Sequence, residues 1–175
     1  MGTIDTQTLI DRAMISDQVY RYMKGLDTRD FDLVMSVLSR PFHMQANQLG
    51  IDREMMPEEY VTKLGPKKFL PGFDVTVHIS TNHLITVDGD TAHVETKLYA
   101  CHYIQEEDSG DRRNIGGNRT PGVNIHCNKQ MPWEGWLTRQ PDGGWLFHKV
   151  RMGTFASEGD TTAFDISLQR SGHLV

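Results

Sequence analysis

The sequence holds only two cysteines in 175 residues, Cys101 and Cys127, set in separate strand-like segments without a CxxC spacing. That scarcity excludes a disulfide framework and points to a reduced, cytoplasmic protein in which both thiols pack. No apolar run approaches the roughly 18 residues of a membrane span. The opening MGTIDTQTLIDRAM has no apolar stretch behind a basic one, so no secretory leader and no membrane association are expected. Positive charge is in deficit: 18 Lys and Arg against 23 Asp and Glu leave a net charge of −5. Nucleic acid therefore finds no basic stripe to bind. The one arginine-rich patch, DRRNIGGNR at 111–119, is interrupted by Asp111 and two glycines and reads as a mobile loop. GxGxxG, P-loop, HExxH and HxH patterns are all missing, so neither a nucleotide cofactor nor a metal is expected.

What is present suits one domain large enough to bury a core. Ile15, Val19, Tyr22, Met23 and Leu26 lie on one helical face and predict a helix over 8–26, started by Asp5 or Thr6 and loosened near its end by Gly25. A short second helix runs from Asp30 through Phe31, Val34, Val37 and Leu38 to a stop at Pro41. FHMQAN (42–47) reads as a short strand and PEEYVTKLG (57–65) as a third helix.

After residue 70 the period becomes 2. FDVTVHIS and HLITV read as two strands, and DGD at 88–90 as a tight turn. Over 91–104, Ala92, Val94, Thr96, Leu98, Ala100, His102 and Ile104 share one face; His93, Glu95, Lys97, Tyr99 and Tyr103 share the other. A long loop is expected over 105–124, then strands near 125–139 and 144–156 joined by PDGG. The polar tail after 157 should be ordered against a neighbour or not at all. Helices first and antiparallel strands afterwards give an α+β class, with helices on one face of a curved sheet. Where they leave the concave face uncovered, a pocket opens.

Three stretches carry a resemblance: RYMKGLDTRDFD (21–32), VHISTNHLITVDGDTAHVETKLYACHY (77–103) and GWLTRQPDGGWLFHKVRM (135–152). In that order they resemble the SnoaL-like family, whose relatives include scytalone dehydratase, bile-acid dehydratase, limonene epoxide hydrolase and ketosteroid isomerase. The resemblance spans about residues 8–155. It implies a cone-shaped α+β barrel with a cavity beneath the helices, and a cofactor-independent lyase or isomerase acting on a small apolar, polycyclic or polyketide-like molecule. Tyr22 and Asp27 match positions that project into the cavity in the dehydratase branch, and His78 matches the histidine on the sheet opposite.

The residue types suit that chemistry. A histidine can take a proton at neutral pH, a carboxylate on its other ring nitrogen fixes the tautomer, and a phenol can polarise a carbonyl. Read without the resemblance, Tyr22 is equally a core residue, Asp27 a cap of the following helix, and His78 one polar position on a strand.

The pattern also departs from the family. Ala100 stands where the bile-acid dehydratases carry an acid, and Thr96 where scytalone dehydratase carries a second histidine. Leu26 replaces that enzyme's tyrosine before the helix-one aspartate. His102, two residues on from Ala100 and on the same face, is therefore the candidate second acid or base. An alternative from another class is a binding module, or a non-catalytic small subunit of a ring-hydroxylating dioxygenase. An epoxide-hydrolase-like Asp-Arg-Asp set would need an arginine in the cavity, for which Arg151 is the candidate. Tyr99 and Tyr103, on the face opposite the cavity, predict a homodimer or homotrimer formed through that face.

Overall fold

Two helices open the fold, as they do in the sequence pattern. The computed structural model of the protein describes residues 5–105, 125–154 and 156–173. Helix α1 (Thr6–Thr28) starts on Asp5, whose carboxylate accepts the Thr8 backbone N–H at 2.8 Å. It buries Ile15, Val19, Tyr22, Met23 and Leu26, the face that the spacing predicts. Gly25 does not loosen the helix. A Cβ there would lie 2.7 Å from Val34 Cγ2, so the glycine lets α2 (Phe31–Ser36) approach.

Asp30 caps α2 by accepting the Leu33 N–H at 3.0 Å. This helix ends before Pro41, which sits inside strand β1 (Leu38–Ala46) after a cis peptide bond. The strand tolerates it because the ladder to its neighbour is interrupted between Leu38 and His43, where the missing N–H is not needed. Strand β2 (Ile51–Met55) follows. The predicted third helix is a short α-turn, α3 (Pro57–Glu59), that widens into a π-turn over Tyr60–Leu64. Pro66, with no N–H to give, begins a separate helix, α4 (Pro66–Phe69).

The sheet adds β3 (Val75–Asp88), β4 (Thr91–Ile104), β5 (Ile125–Arg139), β6 (Trp145–Met152) and β7 (Ala156–Gly159). Its order is β2-β1-β6-β5-β4-β3, with β7 on β5, and every pair is antiparallel except β1 with β6. The sheet therefore curves without closing, and the expected barrel is an open cone. The two strands read around HLITV are one, β3, whose register shifts between Thr81 and Leu84 with Asn82 at φ 57°. Asparagine tolerates that left-handed conformation, and such a bulge bends a long strand. Cross-strand partners share a face, so His78, Ala100 and Lys129 form one concave row and Thr76, His102 and Cys127 the next.

The expected 105–124 loop lies, beyond Gln105, outside the described residues. The tail does not await a neighbour. Its helix α5 (Thr162–Arg170) buries Ala163 and Ile166 and packs Phe164 on Phe69, Phe73 and His102. Gly72 makes room for it, since a Cβ there would lie 2.0 Å from the Ser167 carbonyl oxygen. Among the described residues no helix is long and apolar enough to cross a membrane.

Near the start of α1 an ion pair is built into the core. Arg139 donates to both Asp11 oxygens at 2.8 Å, and Trp145 Nε1 donates to Oδ1 at 3.3 Å. Asp11 is 2% exposed, and the guanidinium carbon lies 4.4 Å from the centre of the Trp145 ring. The Arg139 hydrogen bonds, outweighing burial, hold the Asp11 carboxyl down to about 2.

Candidate active site

Asp27 and His78 are 51 residues apart in sequence and meet where the last turn of α1 crosses β3. Asp27 Oδ1 accepts the His78 Nδ1–H at 2.6 Å, and Oδ2 accepts the His78 backbone N–H at 2.8 Å. With its Nδ1 proton committed to the carboxylate, the neutral ring carries its lone pair on Nε2, the atom a base uses. The His78 side chain is 6% exposed and that of Asp27 24%. Burial works against the Asp27 charge. The bonds from the His78 ring and backbone, with a third from the Thr76 hydroxyl at 3.1 Å, overcome it and hold the carboxyl below its ordinary range.

Two residues to which the sequence reading gave no role complete this corner. Thr76 precedes His78 by two and shares its face; alternation alone could have found it. Arg29 could not be found that way. It ends α1 at φ 60° and turns its guanidinium back onto Thr76 Oγ1 at 2.6 Å and onto the carbonyls of Leu26 at 2.9 Å, Asp27 at 3.0 Å and Phe73 at 3.3 Å.

His102 lies in the neighbouring row. Its ring meets that of His78 edge-on, with centroids 5.6 Å apart, and its Nδ1–H donates to the Cys127 carbonyl at 3.0 Å. Burial first, then the charges of His78 and Lys129, bring its pKa down to about 4. At neutral pH it is an uncharged ring. The unfolded chain protonates this histidine near about 6.5, so its neutral burial stabilises the fold fully above that pH. The contribution is lost as pH falls through about 4. Urea midpoints measured in steps across that window should fall for the natural protein, and less steeply for His102→Gln, the gap reaching on the order of 3 kcal/mol. Superimposable slopes would show that His102 does not titrate differently on folding.

Tyr22 is hydrogen-bonded to Tyr60, hydroxyl to hydroxyl, rather than to Asp27 or His78. Its ring packs on Trp133 at 5.6 Å, and Tyr60 packs edge-on against Phe42 at 5.6 Å. Burial, with Tyr60 beside it, raises Tyr22 well above the ordinary tyrosine value, and burial pushes Tyr60 up to about 12. Both stay protonated, and since one proton serves the pair, the other remains to donate elsewhere. Trp133 presents a second donor, a buried indole N–H without a hydrogen-bond partner among the described residues.

His83 bridges α1 and β3, its two ring nitrogens each 3.1 Å from the hydroxyls of Ser16 and Ser80. Arg151 does not serve an epoxide-hydrolase-like set: its side chain is 48% exposed and pairs with Glu134 beside Trp136.

The family model described as a SnoaL-like domain matches residues 7–151. No curated protein sequence matches. Among solved structures, the Kfla4162 protein of Kribbella flavida superposes with a TM-score of 0.70 at 24% identity, over 88% of this chain and 95% of that one. The hexachlorocyclohexane dehydrochlorinase LinA-type3 of Novosphingobium barchaimii gives 0.64 at 17%, over 87% and 92%. A protein of Novosphingobium aromaticivorans described as a candidate scytalone dehydratase gives 0.64 at 17%, over 87% and 89%. These likenesses establish a shared fold.

Proposed function

We propose, from the premise that the chain belongs to the SnoaL-like domain family, that it is a cofactor-independent lyase or isomerase. The observation that carries the reading is the 2.6 Å bond between Asp27 and the Nδ1 of a nearly buried His78. His78 Nε2 takes a proton from carbon beside a carbonyl, and the Asp27 carboxylate offsets the positive charge of the imidazolium. Negative charge on the carbonyl oxygen is met by the phenol proton left over from the Tyr22–Tyr60 pair. The imidazolium then returns its proton to a departing hydroxide, which leaves as water, or to another carbon, which shifts the double bond. His102, neutral and edge-on to His78, is the second candidate acid or base.

Two of the similar structures bear the names dehydrochlorinase and dehydratase, which denote elimination reactions. Apolar Leu98 and Trp133 on the concave side favour a small, largely apolar substrate, polycyclic or polyketide- or steroid-like. The test is a panel of β-hydroxy and polycyclic ketones incubated with the purified protein in D₂O and followed by mass spectrometry. Loss of water from a ketone, or uptake of deuterium beside its carbonyl, is expected above the buffer rate. Saturable binding of panel members with neither change would sink the lyase reading and favour the binding module.

A further inference from the structure

Arg29 stands at the C-terminal cap of α1 with φ 60°, a conformation that favours glycine and is reached by other residues only against steric resistance. An arginine at such a position is of use for its side chain. That guanidinium is partly buried, yet among the described residues its hydrogen-bond partners are three carbonyls and one hydroxyl, with no carboxylate. A cation so placed usually takes an acidic partner directly. Here the acid is reached through one intervening group. Thr76 Oγ1 accepts from Arg29 at 2.6 Å, so its single proton is left for Asp27 Oδ1 at 3.1 Å.

We propose that Arg29 and Thr76 are positioning residues: a relay that fixes the Asp27 carboxylate and shares its negative charge, so that His78 can release the proton it takes. The proposal rests on reading Asp27 and His78 as the reactive dyad. A carboxylate facing histidine alone would hold the imidazolium tightly, and the ring would surrender its proton reluctantly. A hydroxyl donating to the same oxygen, with a guanidinium behind it, weakens that hold. Both act in one direction. Among the described residues, Asp27 bonds the His78 ring, Arg29 reaches that carboxylate through Thr76, His102 on β4 meets the ring edge-on, and Lys129 lies in the same row on β5, its Nζ 2.8 Å from Ser157 Oγ. Substitutions at Arg29 and Thr76 leave the last two in place.

The probe is the protein itself, full length, with ¹³Cε1-labelled histidine followed by NMR from pH 4 to 9. Its eight histidines give eight signals, and that of His78 is the one missing from His78→Gln. Arg29→Met is expected to move the His78 midpoint upward by about half a pH unit. Thr76→Val should move it in the same direction, while Thr76→Ser, which restores the hydroxyl, should leave it in place. An unchanged or lowered midpoint in folded Arg29→Met overturns the relay. Should that variant fail to fold, the Thr76 pair decides, and identical titrations of Val and Ser overturn it. No substrate enters the experiment, so an inactive protein, which would refute the lyase reading, still answers this question.

Discussion

Turnover by a His78→Gln variant should fall by about 10²–10⁴-fold, with the fold retained. Carbon acids beside a carbonyl lose protons slowly to water, and a placed imidazole supplies the acceptor that water lacks. Glutamine can still donate to the Asp27 carboxylate, which is bonded to the His78 backbone N–H in any case, so the corner keeps its shape. What it loses is the Nε2 lone pair. Asp27→Asn should be comparably damaging, because an amide can hold the ring but cannot offset the imidazolium charge. Tyr22→Phe should cost less, since Tyr60 remains to donate. The readout is initial rate on whichever ketone the D₂O panel identifies, with thermal melts as the control for folding. Near-normal rates from His78→Gln would move the base elsewhere, and His102 would be the first residue to test.

The second large effect lies at the other end of α1 and concerns stability. Asp11→Ala strips a carboxylate that is 2% exposed and takes their shared acceptor from Arg139, Trp145 and Gln7. Breaking a fully buried ion pair costs about 3–5 kcal/mol. Arg139 retains 22% exposure and a second bond to Asp90, which moderates the loss to about 2 kcal/mol, or about 4–8 °C in melting temperature. The acid side gives the sign. The Asp11 pKa is about 2 in the fold and about 3.9 in an unfolded chain. Its stabilisation is therefore complete above pH 4 and disappears as pH falls through 2. Denaturant melts in steps from pH 5 to 2 should show the variant losing less stability across this window than the natural protein. Parallel curves, or a melting point unchanged at pH 7, would mean that the pair contributes nothing.

How much of this was legible depended on how local the causes were. The buried stripe of α1 and the alternation of β4 are set by neighbours a few residues away, and the α+β class followed from their order. Asp27 and His78 emerged because a family pattern tied two distant stretches together; no helical or strand period could have paired them. Tyr60 escaped notice because it meets Tyr22 across 38 residues, through the way a π-turn lies against α1. Arg139 finds Asp11 across 128 residues, and nothing near either marks the partnership. Arg29 was hidden differently: a left-handed backbone at an arginine leaves no trace in composition. The tail read as ordered against a neighbour or not at all because polar residues outnumber Ala163, Phe164 and Ile166, although Ala163 and Ile166 are spaced for one helical face.

The position of Phe164 against His102 also sets an order of events during synthesis. Asp27 leaves the ribosome early, and β3 and β4 follow it, so the carboxylate and both histidines can assemble before α5 has emerged. The wall beside His102 arrives only when α5 has emerged from the exit tunnel. Until then that ring lacks the Phe164 wall and keeps only its neighbours on the sheet and Phe73. The Asp27–His78 corner is thus founded by one end of the chain and walled by the other. A bulky fusion partner appended directly after α5 would crowd the segment that performs this final sealing step, whereas one placed ahead of Asp5 would stand clear of it.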